Sequence, residues 1–167
     1  MHIHPVGTRA LLIELEDLSQ VMAWHAALDA QPLKDQVDAI AAATTLLLTF
    51  ATPNSAAAAA EKLQDFHPSA RGAEDPRLVE IDVLYDGEDL DEAAELMGMS
   101  REGLIDWHTS TEWLAAFGGF APGFTYCTPA DPAQNFDIER RATPRTAVPA
   151  GAVGIAGGFS AVYPRAV

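Results

Sequence analysis

The sequence predicts an α+β protein built in two parts, and two observations support that prediction. Residues 1–85 alternate between strand-like and helix-like spacing of apolar residues. Residues 86–167 begin with two short helical stretches and continue as short apolar pieces separated by glycine and proline, which is typical of tight turns between strands. The composition, 49% hydrophobic and 20% charged, is that of a globular chain. We therefore expect an N-terminal α/β domain over residues 1–85 and a second domain over residues 86–167.

The first domain opens with a predicted strand, helix and strand. Arg9 to Glu16 starts as an apolar run and then alternates, which indicates a strand. Apolar residues between Leu18 and Leu28 recur at helical spacing, with Ser19 as a possible cap. Val37 to Phe50, which contains the segment TTLLLTF, is predicted as the second strand.

A second helix and a third strand complete this domain in the prediction. Asn54 and Ser55 are good caps for a helix that runs through five alanines to Phe66. A loop rich in proline, glycine and charge follows from His67 to Pro76. Leu78 to Tyr85 then alternates like a strand, and the residues expected on its buried face are Val79, Ile81, Val83 and Tyr85.

The two helices of the second domain are predicted over Asp89 to Met97 and Ser100 to Trp107. With Gly98 at the turn they resemble a DNA-reading helix-turn-helix. The charge argues against that function, because residues 86–112 hold nine acidic residues and one arginine, and a recognition helix needs cations for phosphates. We interpret the pair as two packed amphipathic helices.

Charge is distributed unevenly along the chain. The net charge of −14 disfavours nucleic acid and anionic membrane surfaces as partners. Every acidic residue lies at or before Glu139, whereas the last 28 residues have no acid and four arginines, Arg140, Arg141, Arg145 and Arg165. These arginines either bind an anionic ligand through charge-assisted hydrogen bonds or neutralise acidic neighbours, and the sequence leaves both interpretations open.

The expected location of the protein and the redox state of its cysteine follow from features that the sequence lacks. The sequence has no apolar run near the ~20 residues that a membrane helix needs, and residues 1–5 lack the pattern of a signal peptide. The single cysteine, Cys127, forms no intramolecular disulfide and fits a reducing compartment. We expect a cytoplasmic protein.

Catalytic and metal-binding motifs are sparse. The sequence has no GxSxG elbow and no HExxH pattern, and an inert buried thiol is the favoured interpretation of Cys127. We expect no metal site. His108, at the end of the second short helix, is the best candidate for proton transfer, although a helix-terminal histidine stabilised by the helix dipole is the favoured interpretation. The glycines between Gly151 and Gly158 match no phosphate-loop pattern, so they identify no ATP site.

Three blocks, taken in order, resemble a known family: residues 83–90 (VLYDGEDL) with His108, residues 119–126 (GFAPGFTY), and residues 140–157 (RRATPR…VPAGAVGIAG) with Tyr163-Pro164. The family contains the 5-oxoprolinase B subunit, allophanate hydrolase subunit 1, the matching part of urea carboxylase and KipI-type inhibitors of sensor histidine kinases. The resemblance covers nearly the whole chain and is most specific after Leu78.

The resemblance implies a cyclophilin-like β-barrel after the α/β domain. It also implies a larger partner, allophanate hydrolase subunit 2 or the 5-oxoprolinase C subunit, and in some complexes a third subunit. In 5-oxoprolinase members the complex opens the lactam of 5-oxoproline with ATP to give glutamate. The residues that we expect to bind the anionic substrate are Arg140, Arg141, Arg145, Gly151, Gly154 and Gly157, and those expected to form a pocket wall or pack the barrel are Phe120, Pro122, Phe124 and Tyr163.

Two departures from the family pattern affect these expectations. Ala152 stands where family members usually have serine, which removes a hydroxyl from the glycine-rich block. Relatives continue past Tyr163-Pro164 through further strands, so we expect an incomplete barrel in a chain that stops at Val167.

The resemblance therefore implies the small subunit of a multi-subunit amide hydrolase, most simply an ATP-dependent 5-oxoprolinase or an allophanate hydrolase-like enzyme. The alternative is a KipI-type inhibitor that binds a sensor histidine kinase and does not catalyse. A biotin-dependent carboxyl-transfer role is disfavoured, because the chain shows no carboxylase or biotin-carrier segment.

Overall fold

The protein folds as two compact units, each with its own antiparallel sheet. The structure, a computed structural model, describes residues 1–68 and 77–167. The first unit spans Met1–Leu78 and the second Val79–Val167, and the described part of each contains one four-stranded sheet. The mixed α and β prediction is thus confirmed. The loop predicted from His67 to Pro76 falls almost wholly outside the described residues.

The first unit pairs four strands with two helices. In chain order its elements are β1 (His2–Val6), β2 (Ala10–Glu14), α1 (Leu18–Ala30), β3 (Gln36–Ala41), β4 (Thr45–Phe50) and α2 (Pro53–Leu63). The strands are antiparallel in the order β1-β2-β4-β3. The single strand predicted over Val37 to Phe50 is therefore two strands joined by a short turn, and β1 was not predicted.

Local capping fixes where both helices of the first unit begin. The side chain of Asp17 accepts a hydrogen bond from the Gln20 amide at 2.8 Å, so Asp17 and not Ser19 caps α1. Thr52 likewise accepts from the Ser55 amide at 3.1 Å and caps α2, one residue before Pro53. The predicted helices are confirmed, while their caps lie two or three residues earlier than expected.

The core of the first unit lies between its helices and one face of its sheet. Alternate residues of β2 and β4 point into this core, because successive side chains of a strand face opposite sides. Six large side chains of the unit are fully buried, Ile13, Val21, Leu28, Leu46, Leu48 and Leu63. Each contributes ~1.5–3 kcal/mol relative to an exposed position.

The second unit pairs two helices with a second sheet. Its elements are α3 (Leu90–Leu96), α4 (Arg101–Ser110), β5 (Trp113–Gly118), β6 (Thr125–Pro129), a single 3-10 turn (Pro132–Gln134), β7 (Val153–Ala156) and β8 (Phe159–Val162). The strands are antiparallel in the order β5-β6-β8-β7. Over residues 77–167 they form an open sheet and not a closed barrel, so the barrel implied by the family resemblance is not confirmed.

The strand predicted over Leu78 to Tyr85 is wrong. These residues pair with no strand in the described part of the chain, and Val79 and Ile81, expected on a buried face, are 61% and 65% exposed. At the end of the segment the Tyr85 carbonyl accepts a hydrogen bond from a side chain, Arg101 Nη2, at 3.2 Å. Alternation of apolar residues is not sufficient for a strand when no neighbouring edge accepts its backbone hydrogen bonds.

Candidate functional site

His108 is hydrogen-bonded through both ring nitrogens. Its Nδ1 lies 2.6 Å from the Tyr85 hydroxyl oxygen, and its Nε2 lies 3.3 Å from Ser160 Oγ. Tyr85 belongs to the segment without regular secondary structure before α3, His108 to the last turn of α4, and Ser160 to β8. Three separate parts of the second unit therefore converge on one imidazole. We call Tyr85, His108 and Ser160 the histidine triad.

The position of His108 follows from the geometry of α4. Ser100 caps the helix by accepting from the Gly103 amide at 3.0 Å. Leu104 is buried, and His108 follows it by four residues, so both lie on the same face of the helix. The His108 carbonyl accepts from Trp113 Nε1 at 3.1 Å, and the two rings lie 5.0 Å apart. Helix periodicity and an aromatic neighbour thus place the imidazole in a half-buried, largely apolar setting.

Burial keeps the histidine triad uncharged near neutral pH. It lowers the pKa of His108 and raises the pKa of Tyr85, because desolvation penalises the charged form of each group. Cys127 is the register partner of Ser160 on β6, and burial also raises the pKa of its thiol. A neutral imidazole between two hydroxyl groups can donate one hydrogen bond and accept one.

Two of the predicted arginines bind carboxylates at the start of α3. Arg141 Nη1 lies 2.7 Å from Asp89 Oδ1 and also contacts Glu92. Arg145 donates to Asp89 through Nε at 3.0 Å and through Nη2, and its Nη1 lies 2.8 Å from Glu88 Oε2. We call these five residues the arginine–carboxylate cluster. Two guanidinium groups face three carboxylates, so the cluster has one excess negative charge.

The arginine–carboxylate cluster is ionised and accessible. The hydrogen bond from Arg145 holds the pKa of Asp89 below its usual range, and Asp89 and Glu88 raise the pKa of Arg145 further above its ordinary value. Both arginine side chains remain 40–43% exposed. This geometry matches the interpretation in which the arginines neutralise acidic neighbours. In the same geometry two guanidinium groups bind one carboxylate, that of Asp89.

Arg140 differs from the other two predicted arginines. It is exposed, and within residues 1–68 and 77–167 it makes no ion pair. The structure therefore unites Arg141 and Arg145 but does not bring Arg140 into their cluster.

The predicted glycines serve turns and close packing around β7. Gly151, with φ of +84°, donates its amide to the Tyr163 carbonyl at 2.7 Å. Gly157, with φ of +58°, donates to the Ile138 carbonyl at 2.7 Å. Gly154 lies on β7, where an added Cβ would meet the Tyr163 ring at 3.5 Å. Glycine is favoured at both turns because a residue with a Cβ is strained in the left-handed region of the backbone.

Three of the four predicted pocket-wall residues form an aromatic cluster. The rings of Phe120 and Phe124 lie 5.2 Å apart, and Tyr163 lies 5.1 Å from Phe124 and 6.1 Å from Phe120, all edge to face. Phe124 is buried, whereas Pro122 and Phe120 are exposed. Phe120 is 64% exposed and has φ of +58°, an unusual backbone conformation for a bulky residue.

Sequence reasoning missed the polar partners of the site. It placed Tyr85 on the buried face of a strand and gave no role to Ser160 or to the three carboxylates. Tyr85, Glu88 and Asp89 all lie inside the first family block, which was the available signal. Ser160 had a weaker signal, as a polar residue within the apolar run FSAV.

Metal sites and membrane helices are not found in the described residues. No three His, Cys, Asp or Glu side chains there are grouped so that they could hold a metal ion. No helix in residues 1–68 or 77–167 is long and apolar enough to cross a membrane. A shallow depression of about 500 Å³ in the first unit is lined by residues such as Arg9, Val37 and Phe50, and it contains none of the predicted site residues.

The full sequence, residues 1–167, matches the family model described as carboxyltransferase domain, subdomain C and D. The chain belongs to this family. The resemblance deduced from the three sequence blocks is thereby confirmed, since the curated relatives that match this chain are 5-oxoprolinase B subunits.

Those relatives differ in how much of their length is matched. The chain is 34% identical over 170 residues to the 5-oxoprolinase B subunit of Escherichia coli O157:H7, an alignment covering 96% of this chain and 77% of that protein. It is 43% identical over 91 residues to the 5-oxoprolinase B subunit of Bacillus subtilis strain 168, covering 53% of this chain and 37% of that protein.

Solved structures give the same picture of the fold. TTHA0988 superposes with a TM-score of 0.72 at 31% identity, covering 95% of this chain and 33% of that one. Kluyveromyces lactis urea carboxylase superposes with a TM-score of 0.64 at 17% identity, covering 98% of this chain and 18% of that one. The chain thus spans about a third of TTHA0988, and the urea carboxylase likeness shows the fold alone.

Proposed function

We propose that this chain is the B-type subunit of a multi-subunit hydrolase that opens the lactam of 5-oxoproline with ATP to give glutamate. The observation that supports this most strongly is the 34% identity with the E. coli 5-oxoprolinase B subunit, because it extends over 96% of this chain and 77% of that protein. In this proposal the partner is a larger subunit of the 5-oxoprolinase C or allophanate hydrolase 2 type, with a third subunit in some complexes.

Hydrolysis of a lactam needs a group that donates a proton to the amide or accepts one during the reaction, and His108 is our candidate for that group. A positioned histidine typically supplies 10²–10⁴-fold in such a step. Among the described residues, His108 is the histidine with hydrogen bonds at both ring nitrogens, and it is half-buried. A fixed ring orientation and a neutral state near pH 7 both suit that role.

The carboxylate of 5-oxoproline needs a cationic partner, and Arg141 with Arg145 is our candidate pair. Both arginines bind the carboxylate of Asp89. This supports the proposal, because the same two guanidinium groups are placed to bind the single carboxylate of a substrate. In our proposal the substrate carboxylate takes the place of Asp89, and Arg140 adds a further positive charge. The aromatic cluster of Phe120, Phe124 and Tyr163, with Pro122, supplies the apolar wall.

The glycines expected to bind an anion, Gly151, Gly154 and Gly157, do not form a cradle for a triphosphate. A phosphate cradle needs backbone amides that point at the ligand. The Gly151 and Gly157 amides are instead donated to the Tyr163 and Ile138 carbonyls, and Gly154 packs against the Tyr163 ring. We therefore place the ATP site on the partner and assign no step through the nucleotide to this chain.

The test is co-expression with the candidate large subunit, followed by an assay of ATP-dependent glutamate formation from 5-oxoproline. His108→Gln should lower turnover by about 100-fold, the low end of what a positioned acid or base supplies, while the complex still assembles. His67→Gln is the matched control, because His67 is exposed, and its turnover should be unchanged.

Each failure has a distinct meaning. A wild-type chain that does not assemble with the large subunit would overturn the subunit assignment. An active complex whose turnover survives His108→Gln would remove His108 from the chemistry and leave the subunit assignment intact.

A further inference from the structure

The histidine triad determines which ring nitrogen of His108 carries the proton, as well as the position of the ring. A neutral imidazole carries one N–H, so its two hydrogen bonds allow two arrangements. Either Tyr85 donates to Nδ1 and the Nε2–H donates to Ser160, or Ser160 donates to Nε2 and the Nδ1–H donates to Tyr85. The ring atom that faces Ser160 on the sheet, Nε2, is a hydrogen-bond donor in the first arrangement and an acceptor in the second.

The distances favour the first arrangement. The contact of 2.6 Å at Nδ1 is short, as expected for a phenol that donates to an imidazole nitrogen, whereas the contact of 3.3 Å at Nε2 is long. A phenol is a better donor than an aliphatic hydroxyl because it is more acidic. Within the described residues the Tyr85 hydroxyl has His108 as its partner, so donation to Nδ1 satisfies it.

We propose that Tyr85 is a positioning residue that holds His108 as its Nε2–H tautomer, so that the donor side of the ring faces Ser160 and the sheet. Ser160 Oγ then accepts a hydrogen bond from His108 and is not deprotonated by it. Burial also raises the pKa of Tyr85, which keeps its phenol in the donating form. The inference rests on these three side chains alone, and only its meaning for turnover rests on the proposed function.

That tautomer narrows the role of His108 in the proposed reaction. An imidazole that donates its Nε2–H to Ser160 cannot take the proton of that hydroxyl, so it does not activate Ser160 as a nucleophile. The buried position of Ser160, only 6% exposed, agrees with that conclusion because a nucleophile must reach its substrate. In the proposed reaction the amide oxygen or nitrogen of the substrate replaces Ser160 as the acceptor of this N–H.

Few other ionisable groups lie near the ring. Within the described part of the chain, Cys127 pairs with Ser160 across the sheet, and burial raises the pKa of its thiol. Asp106, two residues from His108 on α4, is exposed. Trp107 and Trp113, the remaining ring neighbours, do not titrate. A change in the His108 titration can therefore be assigned to Tyr85 or Ser160.

The test is nuclear magnetic resonance of the full-length chain with ¹⁵N-labelled histidine, read through the two-bond couplings of the imidazole nitrogens. At a pH where His108 is neutral, the wild-type spectrum should show the Nε2–H tautomer. A spectrum with the Nδ1–H tautomer, or with both tautomers equally populated, would overturn the proposal without any variant.

Two variants give a sign test on the pKa of His108. Tyr85→Phe removes a donor that stabilises the neutral ring, so the pKa should rise. Ser160→Ala removes an acceptor that stabilises the charged ring more than the neutral one, so the pKa should fall. The reverse pattern, or no change in either folded variant, would refute the inference. The measurement needs neither the partner nor a substrate, so its outcome is independent of the proposed function.

Discussion

The two units are stabilised in different ways, and that difference separates the part of the chain that fixes structure from the part that holds the candidate chemistry. Of the described residues, twelve buried apolar side chains form the core of the first unit, where two helices cover one face of a sheet. Five lie in the second unit, together with the two buried polar residues, Thr111 and Ser160. The first unit is held mainly by apolar burial, whereas the second depends more on hydrogen bonds, ion pairs and aromatic contacts.

The largest effect should come from the core of the first unit. Leu48 is fully buried at the centre of β4, so Leu48→Ala should lower the free energy of unfolding by about 3 kcal/mol through lost burial and a residual cavity. Urea denaturation followed by circular dichroism measures the change.

The matched control lies at the start of the second unit. Leu84 is 79% exposed, and Leu84→Ala should change the free energy of unfolding by less than about 0.5 kcal/mol. Equal costs in the two variants would contradict the comparison, because they would mean that the segment around Leu84 is buried by contacts as extensive as those of the first core.

A smaller effect, on turnover, should come from the arginine–carboxylate cluster. Arg145→Ala should reduce glutamate formation by the complex at least ten-fold, the effect of losing one charge-assisted contact to the substrate carboxylate, while assembly is retained. Lys62→Ala removes an exposed cation from α2 of the first unit and should leave turnover unchanged. Unchanged turnover in Arg145→Ala would exclude this arginine from the substrate site.

The same contrast explains how much of the fold the sequence predicts. The helices α1, α2, α3 and α4 were predicted because their signals, apolar spacing and caps, lie within one segment. The turn between β3 and β4 was missed because Ala42 and Ala43 are not typical turn residues. The segment from Leu78 to Tyr85 was wrongly predicted as a strand because its alternation says nothing about whether a neighbouring strand exists.

The candidate site shows the same limit more sharply. His108 and Arg145 could be singled out by residue type and position, but their partners could not. The contact between Arg145 and Asp89 joins residues 56 apart in sequence, and the contact between His108 and Ser160 joins residues 52 apart. Such pairs depend on how the segments fold onto each other, which no local pattern encodes.

The smallest effect concerns acid and salt, and it tests whether the arginine–carboxylate cluster is ordered in solution. The pKa of Asp89 is lower in the folded chain than in the unfolded one, so the stabilisation from its ion pairs is present above the ordinary carboxyl pKa of about 4 and is lost as the pH falls through the folded value. The Arg145 Nε–H, which donates to Asp89 Oδ2, should therefore be protected from solvent exchange near neutral pH and lose protection in acid. Because the side chains are exposed, 1 M salt should weaken it as well.

Asp89→Asn should lower the protection of Arg145 Nε–H at neutral pH and remove its dependence on the Asp89 titration, because a neutral amide oxygen is a weaker acceptor than a carboxylate. Asp131→Asn is the matched control, since Asp131 caps the 3-10 turn and lies outside the cluster, and it should leave the protection intact. The unfolding of the first unit, which depends on apolar burial, should not follow the Asp89 titration. If Arg145 exchanges freely at neutral pH in the wild-type chain, its guanidinium is already available to an anionic ligand, and a substrate would not have to displace Asp89 to reach it.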